Sequence, residues 1–198
     1  MLPLPFTSWP YAFTLGIAVV IWIGPEEARG WRWRGRNGGA SVADHGSLYV
    51  TIGMIALGVL AALACALLMP GAEILWNRET LFWVGIALTL IGVALRSWAV
   101  RTLGLYFLPV VAVRADQQVV RDGPYRLIRH PTYSGALLTL IGLGLTLTNW
   151  VALVALLCCA LAGLAYRVRV EEQALLQALG QPYREYMAQT TRFVPFLF

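Results

Sequence analysis

The feature that most constrains this chain is a series of long apolar runs separated by short segments that hold nearly all of its charge. Residues 48–69 carry no charged side chain, and residues 81–100 carry one, Arg96. Crossing the hydrocarbon of a bilayer takes roughly 17–25 apolar residues as helix, so both runs read as spans. A weaker candidate covers 6–23, interrupted by Pro10 and stopped at Gly24-Pro25. Residues 133–166 are too long for one span and break at Thr148-Asn149 into legs over 133–147 and 150–166. The first leg carries Gly135, Gly142 and Gly144. Small residues let helix backbones approach closely, which predicts a tight helical hairpin. The expected fold is therefore all-α, one polytopic membrane domain over 1–198 with about five transmembrane helices, the last two a hairpin.

Composition supports this: 59% of the 198 residues are hydrophobic and 13% charged, against about 45–50% and about 25% for soluble domains. The net charge of +5 comes entirely from arginine. Arg29, Arg32, Arg34 and Arg36 fill the first gap; Arg101, Arg114, Arg121, Arg126 and Arg129 the third; Arg167, Arg169, Arg184 and Arg192 the tail. The second gap has Arg78 alone. By the positive-inside rule the N-terminus lies outside and the C-terminus in the cytoplasm. Basicity arranged this way argues against nucleic acid as a partner and for membrane lipids. Cys65, Cys158 and Cys159 sit inside apolar runs as small core or lipid-facing residues, and no metal cluster is expected. The opening residues lack a positive n-region and a small-residue cleavage site, so no cleaved signal peptide is expected.

The polar chemistry gathers at 123–133, GPYRLIRHPTY. Gly123-Pro124 signals a turn and Pro131 pushes His130 away from helical dihedrals, so this block is expected to be a bent loop entering the hairpin. Val119 and Val120 offer an apolar face, Tyr125 and Tyr133 rings and hydroxyls. Arg126 and Arg129 read equally well as contacts to lipid headgroups. The hairpin returns the chain to the same side at Arg167-Val168-Arg169-Val170-Glu171-Glu172. On a continuing helix Arg167 faces Glu171 at i, i+4 and Arg169 faces Glu172 at i, i+3. Arg96, one turn before the end of its span, either snorkels or faces a cavity. After Gly180, Pro182 opens a short amphipathic helix whose Tyr183, Tyr186 and Met187 serve packing and interface anchoring.

The block G-x-Y-x-x-x-R-H-P-x-Y, the Arg–Glu-Glu segment after a hairpin and the G-x-x-Y-x-x-Y tail together resemble the isoprenylcysteine carboxyl methyltransferase family of integral membrane methyltransferases, its prokaryotic members included. The resemblance runs from Arg96 onward. It divides the domain into variable N-terminal spans over 1–78 and a methyltransferase core over 79–198. It implies S-adenosylmethionine as cofactor, held by Gln117, Gln118, Val119, Val120, Tyr125, His130, Pro131, Thr132 and Tyr133 with Glu171. It further implies a substrate-contacting Arg167 and a functionally important Arg96. Whether Glu171 or Glu172 contacts the cofactor stays open; Glu172 could serve as a base if the acceptor is an amine. The implied partner is a lipophilic small molecule or lipidated substrate, prenylcysteine-like or another isoprenoid or lipid. The implied place is a bacterial or archaeal cytoplasmic membrane with the site on the cytoplasmic side. The oligomeric state is not legible. Membrane sterol reductases using NADPH share the R-H-P-x-Y block and the tail, so a reductase is the alternative; a non-enzymatic membrane protein is a third reading.

Overall fold

The computed structural model describes residues 2–33 and 41–193. Six α-helices dominate: α1 Trp9–Trp33, α2 Ser47–Leu68, α3 Arg78–Leu103, α4 Pro131–Thr146, α5 Trp150–Leu179 and α6 Gln181–Gln189. Strands β1 Ser41–Val42 and β2 Ala112–Val113 pair antiparallel, Ser41 opposite Val113. Three helical stretches are long and apolar enough to cross a membrane, Ser47–Leu68, Arg78–Tyr106 and Trp150–Leu179. The apolar part of α1, Trp9–Gly24, and the 16-residue α4 are shorter. Large apolar side chains such as Leu60, Leu68, Trp83 and Trp98 are exposed around the bundle, as lipid contact requires.

Helix ends follow local chemistry. Pro10 falls in the first turn of α1, where a missing N–H costs nothing. Contrary to expectation, α1 does not stop at Gly24-Pro25 but runs on to Trp33; Arg34 and Arg36 lie outside the described residues. Between α4 and α5, Thr148 takes a left-handed φ of 47°. Asn149 then caps two helices at once. Its side-chain oxygen accepts from Ala152 N at 3.0 Å, and its amide donates to the α2 terminal carbonyl of Met69 at 3.2 Å. Gly180, at φ 59°, ends α5, and Pro182 opens α6.

The helices pack as two pairs. In α3–α4, Gly85, Thr89 and Gly92 interlock with Gly135, Thr139 and Gly142. A β-carbon on Gly92 would stand 2.5 Å from the backbone nitrogen of Thr139, and one on Gly135 2.7 Å from that of Arg96. The small residues of α4 therefore serve α3 rather than the expected hairpin with α5; only Gly144 meets α5, at Leu153. In α2–α5, Ala62, Ala66, Ala152, Leu156 and Ala160 form an apolar core. At about 1.5 Å per residue α4 is about 24 Å long, short of the roughly 30 Å hydrocarbon. The 30-residue α5 is nearly twice as long, and the segment joining α3 to α4 folds at the Pro131 end.

Candidate active site

At that end lies a cavity of about 740 Å³, within the usual range for small-molecule sites. Arg96, Gln117, Gln118, Val119, Val120, Tyr125, His130, Thr132, Tyr133, Arg167 and Glu171 all line it. Pro131 does not line it; it starts α4 and fixes where Thr132 and Tyr133 project. On the opposite side the cavity is apolar, walled by Trp22 and Ile23 of α1 and by Ile52, Ala56 and Leu60 of α2.

The polar wall is built around Tyr133. Its hydroxyl accepts from Arg167 Nε at 2.9 Å and donates to Glu171 Oε2 at 2.6 Å. Tyr133 thus stands between the two residues expected to pair directly, a tertiary hydroxyl replacing the i, i+4 contact. Arg167, only 6% exposed, turns to Asp44 Oδ1 at 3.3 Å, Ser47 Oγ at 3.3 Å and the Pro109 carbonyl. His130 stacks on Tyr133 with ring centroids 5.5 Å apart. Arg96 Nη1 donates to the Thr132 carbonyl at 3.1 Å, facing the cavity rather than snorkelling.

The two adjacent glutamates part company. Glu171 borders the cavity with its side chain 31% exposed, whereas that of Glu172 is 6% exposed. Glu172 lies behind the wall, held by His130 Nε2 at 3.2 Å, Arg129 Nε at 3.2 Å and Arg192 Nη2 at 2.9 Å. This geometry corrects two expectations. Glu172 pairs with these three rather than with Arg169, which is exposed, and its placement speaks against a role as catalytic base. Arg129 is likewise no lipid contact: its side chain is 10% exposed, borders the cavity and also donates to the carbonyls of Met187 and Thr190. Arg126 is exposed.

The tail completes the wall instead of only anchoring at an interface. Thr191 pairs with Ile128 in a parallel bridge, with Arg129 N donating to Thr191 O at 2.8 Å and His130 N to Arg192 O at 3.0 Å. Tyr183 and Tyr186 line the cavity, and the Tyr186 hydroxyl donates to Tyr125 O at 2.8 Å. Burial pushes the Tyr186 hydroxyl up to about 12, so it keeps the proton it donates. Burial, then the charge of Glu171, pushes the Tyr125 hydroxyl up as well. Tyr125 Oη and Gln117 Oε1 are buried with no hydrogen-bond partner, which is costly unless something else in the cavity bonds them.

Asp44, Ser47 and Arg192 were not among the residues singled out from sequence. One signal was available: Asp44 and Ser47 stand three apart just before an apolar run, the spacing of a helix start. Their partner Arg167 lies 123 residues from Asp44, and no local pattern reports such a contact.

Comparison with known proteins bears on what this wall does. Residues 84–177, from α3 into α5, match the model of the isoprenylcysteine carboxyl methyltransferase family. A probable protein-S-isoprenylcysteine O-methyltransferase of Oryza sativa subsp. indica is 30% identical over 188 residues, covering 94% of this chain and 96% of its own. Protein-S-isoprenylcysteine O-methyltransferase A of Arabidopsis thaliana is 32% identical over 168 residues, covering 80% and 82%. The solved structure of the eukaryotic intramembrane Ras methyltransferase of the same name superposes with a TM-score of 0.59 at 25% identity. That match covers 77% of this chain and 53% of the longer one.

Proposed function

Because the chain belongs to the isoprenylcysteine carboxyl methyltransferase family, and is thus a membrane methyltransferase, we propose that it methylates a carboxylate on a lipophilic acceptor with S-adenosylmethionine as donor. The acceptor class is prenylcysteine-like, or another isoprenoid or lipid acid. The site faces the cytoplasm, and residues 79–198 form the core that holds the donor. The observation that carries this reading is the Arg167–Tyr133–Glu171 chain of hydrogen bonds on one wall of a cavity whose other wall is apolar.

The residues fit the donor on two observations. Tyr125 and Gln117 line the cavity, and their Oη and Oε1 atoms are buried without partners, a hydrogen-bonding capacity suited to a ribose or an adenine amine. Glu171 is the exposed carboxylate of the wall, suited to an ammonium, which favours it over Glu172. Val119, Val120 and the ring of Tyr125 offer an adenine apolar faces. His130 takes part through Tyr133 and its own edge of the cavity. When bound, S-adenosylmethionine supplies an electrophilic methyl group on a sulfonium.

Arg167 orients the acceptor carboxylate, and the walls of α1 and α2 receive its hydrocarbon while keeping water away. Transfer to a carboxylate releases no proton, so the chain has no base to provide, in keeping with the engagement of Glu172 elsewhere. Dehydrating and aligning two opposite charges that vanish in the transition state supplies much of the rate. The test is methyl transfer from radiolabelled S-adenosylmethionine by protein purified into nanodiscs, with N-acetyl-S-farnesylcysteine and a long-chain isoprenoid acid as acceptors. Alkali-labile label in the lipid phase marks a methyl ester and supports the reading. Alkali-stable label indicates another acceptor group, and NADPH oxidation without label would overturn the reading.

A further inference from the structure

Arg167 carries five N–H groups in a rigid fork, and its surroundings leave little of that fork free. Nε donates to the Tyr133 hydroxyl, Nη1 to Asp44 and Ser47, and Nη2 to the Pro109 carbonyl. These bonds engage all three guanidinium nitrogens, and Nη2, with its single bond to Pro109, keeps one N–H beyond it. Three separate segments therefore fix the plane of the guanidinium: α4, the start of α2, and the stretch before β2.

Asp44 is the hub of this arrangement. Its Oδ1 accepts from Ser47 Oγ at 2.9 Å and Val111 N at 3.0 Å as well as from Arg167, and its Oδ2 accepts from Leu48 N at 3.1 Å. Burial would push its carboxyl up, but the Val111 and Leu48 amides, the Ser47 hydroxyl and Arg167 together hold it below the ordinary value of 3.8. Asp44 is a carboxylate at neutral pH, and it is the acid in contact with Arg167. The same atom that tethers Arg167 seats Val111, which borders the cavity.

We propose that Asp44 is a positioning residue for methyl transfer: it holds the Arg167 fork so that the remaining Nη2 N–H meets the acceptor carboxylate. This inference rests on the reading of Arg167 as the acceptor contact. It gives the N-terminal part of the chain, which carries no recognisable motif, a direct share in the reaction. Lysine at 167 could not replace the fork, since a point charge has no fixed second and third donor. With its charge offset by Asp44, Arg167 selects the acceptor by direction more than by bulk attraction.

A double-mutant cycle on the full chain in nanodiscs tests this, with N-acetyl-S-farnesylcysteine as acceptor and S-adenosylhomocysteine titrated separately. Asp44→Asn lowers kcat/KM for the acceptor at least tenfold, while the dissociation constant for S-adenosylhomocysteine changes less than threefold. Asp44→Asn combined with Arg167→Gln is no worse than Arg167→Gln alone. Losses that multiply, or that appear equally in S-adenosylhomocysteine affinity, overturn the inference and leave Asp44 a fold residue. Full turnover in Arg167→Gln removes the parent reading of Arg167 instead, a separate and recognisable failure. Should Asp44→Asn not fold, Ser47→Ala removes only the hydroxyl that Asp44 and Arg167 share. A two- to fivefold loss of kcat/KM at unchanged thermal stability supports the inference, and wild-type turnover there overturns it.

Discussion

The two helix pairs solve the same problem differently. In α3–α4 glycines and threonines bring backbones into direct contact, and the nearest neighbours of each glycine are main-chain atoms. In α2–α5 the approach is wider and mixes side chain with backbone: a β-carbon on Gly58 would meet the Cys159 Cβ at 2.9 Å and the Leu156 carbonyl oxygen at 3.1 Å, and one on Gly163 the Met54 Cβ at 3.0 Å. The first seam is the tighter, its would-be β-carbons 2.4–2.7 Å from their nearest neighbours; in the second these distances are 2.9 and 3.0 Å. The cavity forms where the pairs diverge, and its polar wall joins them, since Tyr133 comes from α4 and Arg167 and Glu171 from α5.

The sharpest way to break this contrast is Gly92→Leu on α3. The clash falls on the backbone of Thr139, and the expected cost exceeds about 3 kcal/mol, seen as loss of a monodisperse, cooperatively melting species in detergent. Next is Glu172→Gln, which leaves the largely enclosed Arg129 without its counter-charge. About 2 kcal/mol of stability should go, read as a lowered thermal midpoint. Tyr133→Phe removes the bond between the pairs without disturbing either seam. Its expected effect is tenfold weaker binding of S-adenosylhomocysteine, about 1.4 kcal/mol, at an unchanged midpoint; titration calorimetry measures it. Gly58→Ala in the wider seam should cost about 1 kcal/mol in the same melting assay, and a cost equal to that of Gly92→Leu would erase the distinction.

The smallest effect concerns the N-terminal end of α2. Because the folded pKa of Asp44 is lowered from 3.8, its contribution to stability is complete above that value. It is lost as pH falls below 3.8 through the folded pKa. A pH series of thermal melts should show this acid loss, and Asp44→Asn should flatten it.

Much of the fold was legible because its punctuation is local. Pro131, Thr148-Asn149, Gly180 and Pro182 each mark a helix end by their own backbone chemistry, and each end falls there. Apolar length alone identified α2 and α3. What failed were judgements that weigh a local rule against a distant contact. Pro25 looked like a stop, yet α1 continues through it. The ladder of Arg167, Arg169, Glu171 and Glu172 suggested pairs along one helix, but Tyr133, Asp44, Arg129 and Arg192 from elsewhere took the partners. The glycines of α4 announced a close contact without saying with which helix. Residue types could name the ingredients of the cavity wall; only the fold decides which of two neighbouring glutamates faces inward.

The parallel bridge between Ile128 and Thr191 has a consequence for biosynthesis. Ribosomes deliver the Leu127–His130 stretch early, and its partner strand only about 64 residues later. By then the long helices that insert into the bilayer have already been made. A nascent or truncated chain that stops short of Thr191 can be inserted and still lack the carbonyls that hold the Arg129 and His130 amides. Truncation before Thr191 is therefore expected to leave an inserted chain whose site wall is unfinished.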